Sequence, residues 1–210
     1  MPMNYADLSI HEFLRKAASS DSTPGGGGVA AIAGALAVSM ASMVANLTIG
    51  KERYIEAEEK MQQVAKASEQ LIVNFLQAAE YDAAAYQGVM DAYRMPKDSP
   101  DEQEIRHRLI QRSLLEAAQA PLRTAQLCRD ALGMAALTRQ KGNPLAVSDA
   151  LVALHLGYAA LLSAVANIDA NLELLADSDR KQQLILEKTA LLEDASKLMQ
   201  REGLLGRDIV

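Results

Sequence analysis

Two stretches of the chain carry residue types that could do chemistry. The first is Ser22-Thr23-Pro24-Gly25-Gly26-Gly27-Gly28, which runs directly into a segment of Ala, Ser, Met and Val ending at Ile49. A glycine loop opening onto a helix N-terminus gathers unpaired backbone N–H groups around a partial positive charge. It suits a carboxylate, a phosphate or a developing anion. The run alone fits a mobile loop as well as a ligand cradle, and its abutment on a small-residue helix favours the cradle. The second stretch is the series Ser68, Ile72, Phe75, Ala79, Asp82, Tyr86, Val89 and Tyr93, spaced by fours and threes as one packing seam of a helix. Asp82 is its one carboxylate. Lost hydration disfavours the charged form there, so the pKa rises toward the range useful for proton exchange. The alternatives are a carboxylate held by a Lys or Arg of another helix, or one at the edge of the seam.

Other polar residues give weaker signals. Asn167 and Asn171 lie one turn apart in an apolar helix and either bridge helices or line a polar cavity. Ser148 or Asp149 reads as a helix cap, and a capping Asp facing a cavity could also recognise a heterocycle with adjacent N–H donors. Cys128 reads as a small buried hydrophobe. His11, His107 and His155 are scattered, with no metal-ligand spacing and no Cys/His cluster, so no metal site is expected. The glycine run lacks the Lys-Ser/Thr of a P-loop and no strand precedes it. There is no Gly-x-Ser-x-Gly elbow. If the chain is an enzyme, the chemistry is cofactor-free acid–base work.

The elements that must position these groups are helices. Ser9 and Glu12 form a capping box, predicting a helix over 9–18. A second helix is predicted over 27–49, with Ala30, Gly34, Ala37, Ala41 and Ala45 as a stripe for close packing, stopped by Gly50. A third runs over 54–94, with Gly88 as its weak breaker. Ser99-Pro100-Asp101-Glu102 starts a fourth, running to Gln140 and kinked or split at Pro121. Lys141-Gly142-Asn143-Pro144 is a turn, a fifth helix runs to Ala176, and a sixth covers 180–201. A straight helix over 54–94 would reach roughly 60 Å, against roughly 40–45 Å for a compact monomer of this size. It either bends or pairs with a second subunit. No alternating strand pattern and no repeat is visible. The fold class is all-α: a bundle of long helices, pairing as an antiparallel-helix homodimer.

Composition agrees with this. At 210 residues one domain over 1–210 is expected, with 50% hydrophobic residues, 4% aromatics and no Trp, so the core is built from Ala, Leu, Met and Val. A net charge of −6 argues against nucleic acid as partner. Val29–Ile49 is about as long as a membrane span, but Ser39, Ser42, Asn46, Thr48 and many Ala make a buried soluble helix the better reading, with no membrane partner. A single Cys and an N-terminal stretch without basic flank or apolar core fit a cytoplasmic protein.

Several motifs in order resemble one family. They are Ser22-Thr23-Pro24-Gly25-Gly26-Gly27-Gly28-Val29-Ala30-Ala31, Ser42 through Lys51, Asp82-Ala83-Ala84-Ala85-Tyr86, Arg94-Met95-Pro96-Lys97, Pro121, Gly142-Asn143, Ser148-Asp149, and Asn167 with Asn171. Together they resemble the formiminotetrahydrofolate cyclodeaminase / methenyltetrahydrofolate cyclohydrolase family over nearly the whole chain. The resemblance implies an all-helical dimer and a tetrahydrofolate substrate, with no cofactor beyond it. The implied reaction converts 5-formiminotetrahydrofolate to 5,10-methenyltetrahydrofolate with loss of ammonia. The alternative is cyclohydrolase action giving 10-formyltetrahydrofolate, and a remoter one is a non-catalytic helical scaffold. Asp82 matches the family's proposed catalytic carboxylate. Ser22, Pro24, Gly25, Gly26, Gly27, Gly28, Lys51 and Tyr86 are implied substrate contacts, with Asn143, Asp149 and Asn171 lining the pterin end or the cleft. Gly28 stands where many members have Ser, so a hydroxyl contact is missing there. The formiminotransferase domain fused to this one in animal enzymes has no counterpart in these residues, so substrate hand-over would need a separate protein.

Overall fold

The computed structural model describes residues 5–206, and every regular element among them is helical. Six α-helices follow in order: α1 (Ile10–Ala17), α2 (Gly26–Asn46), α3 (Glu58–Arg94), α4 (Pro100–Lys141), α5 (Val147–Leu172) and α6 (Ser178–Arg201). Short 3-10 turns occupy Tyr5–Asp7, Glu52–Ala57 and Pro144–Ala146. The all-α expectation holds. Both predicted capping boxes form, Ser9 with Glu12 on α1 and Ser99 with Glu102 on α4, each satisfying an otherwise orphaned N–H at either end of the box.

α2 is the central element, packed against α3, α4 and α5. Its stripe of small residues is what permits this. Ala30, Ala37, Ala41 and Ala45 are buried, and at Gly34 the Phe75 ring of α3 occupies the place a Cβ would take. On the α5 side, Gly157 lies against Leu132 and Ala37. α2 and the stretch Pro144–Leu172 are each long and apolar enough to cross a membrane, by length and composition only. In this fold about half of each apolar window is buried within the bundle, 56% for α2 and 44% for the second stretch.

Four boundaries differ from the sequence expectation. α2 ends at Asn46 and a turn closes at Gly50, whose φ of 73° is the left-handed value glycine favours. α3 starts at Glu58, because Tyr54 leaves helical geometry inside the preceding 3-10 turn. Neither Ser148 nor Asp149 caps α5. The chain enters α5 from the 3-10 turn at Pro144–Ala146, so the extended cap position lies earlier, at Asn143, whose side chain accepts from the Leu145 N–H. α5 stops at Leu172, short of Ala176.

The fourth helix is neither split nor ended at Pro121. α4 runs unbroken through it for 42 residues. A proline inside a helix has no N–H for the carbonyl four residues back, here that of Ala117. The side-chain amide of Asn171 on α5 donates to that oxygen at 2.9 Å. The defect is therefore repaired from outside the helix.

Gly34→Ala tests the α2–α3 contact. Alanine favours helix over glycine by about 1 kcal/mol, but here its Cβ overlaps a fully buried ring, and overpacking costs about 1–3 kcal/mol. The expected outcome is a lower thermal midpoint by calorimetry; a raised midpoint contradicts the tight contact.

Candidate active site

The glycine loop, α3, α4 and α5 enclose a cleft of about 290 Å³. Ser22, Thr23, Gly25, Gly26 and Gly27 form one wall; Asp82, Tyr86 and Val89 come from α3, and Leu114 and Ala117 from α4. Asn167, Asn171 and Leu174 close it from α5 and the residues after it. The loop and the seam read separately from sequence are thus two sides of one cavity.

Asp82 sits directly over the first turn of α2. The backbone N–H of Gly28 donates to its carboxylate, and a Cβ on Gly27 would overlap that carboxylate. The anion held at this helix N-terminus is therefore the protein's own. Burial pushes the Asp82 carboxyl above the ordinary carboxylate range, and the Gly28 hydrogen bond pulls part of the way back. Among the described residues no Lys or Arg lines the cleft. The reading of Asp82 as a carboxylate neutralised by a basic partner finds no support in its neighbours.

The two asparagines are both anchored. Asn167 donates to the Ser163 carbonyl at 2.8 Å and lies against Gly26, where an added Cβ would come within 3.1 Å of its amide. Asn171 holds the Ala117 carbonyl. Tyr86 is 38% exposed, so its ring stands at the mouth. Pro24 is buried behind the loop, following a cis Thr23–Pro24 peptide, and Gly28 is buried at the start of α2.

Lys51, Asn143 and Asp149 do not line this cleft. Lys51 follows the C-terminal end of α2 while the glycine loop precedes its N-terminal end, about 30 Å apart for 21 helical residues. Asp149 and Asn171 likewise stand at opposite ends of α5. Asn143 is buried and fully engaged: its side chain accepts from the Tyr54 hydroxyl at 2.8 Å and donates to the Leu47 carbonyl, and its N–H donates to Thr48 Oγ1. Within one protomer Asn143, with Tyr54, Leu47 and Thr48, ties the far end of the bundle together.

Sequence reasoning missed Tyr5. It is buried against Phe13 in an edge-to-face pair, its hydroxyl is hydrogen-bonded to the Thr23 side chain, and it lies near enough to Asp82 and Glu80 to feel their charge. Burial raises its pKa. The signal was absent because a lone Tyr in a short N-terminal segment has no periodicity. Cys128 is fully buried with its thiol pushed up to about 12, inert as expected. His11, His107 and His155 are exposed.

A family model described as formiminotransferase-cyclodeaminase matches residues 9–190. The chain belongs to this family. It is 39% identical to the methenyltetrahydrofolate cyclohydrolase of Methylorubrum extorquens over 92% of this chain and 93% of that one. It is 27% identical to the formimidoyltransferase-cyclodeaminase of Rattus norvegicus, of which it spans 35%. The crystal structure of formiminotetrahydrofolate cyclodeaminase from Thermotoga maritima superposes with a TM-score of 0.85 at 29% identity, covering 93% of this chain and 94% of that one. Within the formiminotransferase-cyclodeaminase family, then, this chain carries the helical fold over almost its whole length.

Gly27→Ala tests the seating of Asp82. The added methyl displaces the carboxylate from α2 while helix propensity improves. Catalytic displacement of about 1 Å costs on the order of 10²-fold in rate, so a folded variant with turnover reduced by about that factor is expected. Wild-type turnover contradicts the close approach.

Proposed function

We propose that this enzyme acts on a tetrahydrofolate derivative at the carbon joined to N5 and N10, with Asp82 exchanging the protons. The observation that carries this is a desolvated carboxyl in a cleft whose lining, among the described residues, has no basic side chain. That arrangement complements the positive charge delocalised over a methenyl or protonated formimino carbon.

Of the two reactions, we favour hydrolysis of 5,10-methenyltetrahydrofolate to 10-formyltetrahydrofolate. The 39% identity to a cyclohydrolase of matching length supports it, and it reverses the order in which the motifs alone place the two activities. Water adds to the methenyl carbon and gives its proton to ionised Asp82. The N5–C bond then opens, Asp82 returns that proton to N5, and the hydroxyl proton of the adduct leaves to solvent. The likeness to the Thermotoga maritima cyclodeaminase favours the second reaction. There N10 attacks the formimino carbon, and Asp82 carries the N10 proton to the departing ammonia. Neither scheme needs a cofactor beyond the folate. In the second, a separate formiminotransferase supplies the substrate. We place the enzyme in the cytoplasm, in keeping with its single, buried and unpaired cysteine.

We further infer a homodimer paired through α2. Val29, Leu36 and Met43 recur every seven residues on its outer face and Leu47 extends the line; all are exposed, Leu36 by 53%, and α2 contains no charged residue. A seam of this spacing fits antiparallel pairing with the same helix of a second copy. That pairing would carry Lys51, Asn143 and Asp149 toward the partner's glycine loop.

Asp82→Asn is expected to lower turnover by about 10²–10⁴-fold, followed by near-ultraviolet absorbance of the methenyl compound. Because the folded-state pKa is raised, the contribution of Asp82 to stability is present below its unfolded value and lost as pH rises through the folded one. The Asn variant should therefore melt at or above the wild-type temperature at neutral pH. A folded variant with wild-type turnover sinks the assignment. Leu36→Glu is expected to convert dimer to monomer in sedimentation; an unchanged species argues against the α2 seam.

A further inference from the structure

Pro121 is a helix-interior proline one turn beyond Ala117, which lines the cleft, and its cost to α4 has a structural correlate. Alanine, leucine or any residue with an N–H at position 121 would engage the Ala117 carbonyl within the helix. With proline there, that oxygen faces α5 and accepts from Asn171 Nδ2 at 2.9 Å. Ala117 and Asn171 both line the cleft. An amide whose nitrogen is committed to a carbonyl has its orientation settled, since only the NH₂ end can donate. The Oδ1 end is then fixed as an acceptor, and no protein group among the described residues donates to it.

We propose that Pro121 is a positioning residue: by withholding an N–H from Ala117 it orients Asn171 so that Oδ1 accepts a hydrogen bond from an N–H of the substrate held beside Asp82. The substrate role rests on the reading of this cleft as the folate site; the Pro121–Asn171 unit does not. Specificity follows from the asymmetry of unmade hydrogen bonds. A ligand presenting an N–H at this place satisfies Oδ1, whereas one presenting an acceptor leaves two oxygens opposed.

Pro121→Ala separates this from a purely structural role, because it moves stability and activity in opposite directions. The new N–H repairs α4, so the thermal midpoint stays level or rises. The new N–H competes with Asn171 for the Ala117 carbonyl and loosens its orientation, so KM for 5,10-methenyltetrahydrofolate rises by about tenfold while kcat changes little. Asn171→Leu in the wild-type background leaves the Ala117 carbonyl unmet and lowers the midpoint by about 2–4 °C. In the Pro121→Ala background the same change should cost little, and the double variant should show the KM of either single one. Additive midpoint shifts overturn the unit. Coupled midpoints with a wild-type KM in Pro121→Ala overturn its role toward substrate. Should the wild-type protein turn over neither folate, the functional reading and the substrate role fall together, while the coupling in stability still decides the unit.

Discussion

The contact on which the site depends is the Asp82 carboxylate resting over the first turn of α2. Two opposing effects meet in it. Removal from water favours the neutral acid, and the Gly28 N–H at a positive helix end favours the anion. Burial is the larger of the two, so the carboxyl lies above the ordinary carboxylate range. Neither effect would reach Asp82 if Gly27 carried a side chain, because that side chain would occupy the carboxylate's position. The glycine run thus serves first to let α3 and the start of α2 approach each other. Its role as a wall of the cleft follows from that approach.

The same economy of side chains extends along the bundle. α2 is lined with Ala and Gly where α3, α4 and α5 press against it, so those three helices hold their spacing on a common axis. Asp82 on α3, Ala117 on α4 and the asparagines on α5 converge because each helix is located by contact with α2. At the opposite end Asn143, Tyr54 and Thr48 tie the turn after α4 to the end of α2 by buried hydrogen bonds. A helix bundle with one pinned end can present a cleft at the other without losing its core.

Much of this was legible before any coordinates. Capping boxes at Ser9 and Ser99 and the small-residue stripe on α2 are local or periodic signals that formed as read, while the four-and-three seam through Asp82 packs from Ser68 to Ala79 and opens to solvent at Tyr86 and Tyr93. What failed was local reasoning about places where tertiary contacts intervene. Pro121 reads as a kink or a split, yet α4 is not split there, and an asparagine 50 residues later donates to the unmet carbonyl. Ser148 and Asp149 are good capping types, yet the chain reaches α5 through a 3-10 turn that moves the cap to Asn143. Tyr5 gave no signal, since a single aromatic in a short turn has no neighbours in sequence to reveal its partner Thr23.

The sequence by itself determined that the chain is helical, where most helices begin and end, and that Asp82 and the glycine run are the unusual residues. Hydrophobic periodicity and cap chemistry are properties of neighbours within a few residues, so they can be read from order alone. Only the tertiary structure decided that Asp82 lies over Gly27, that Asn171 serves Ala117, and that Lys51, Asn143 and Asp149 stand a helix length from the cleft. Those are relations between separate helices. They depend on which faces pack and at what height along the axis, and the spacing of residues within one helix carries no record of either.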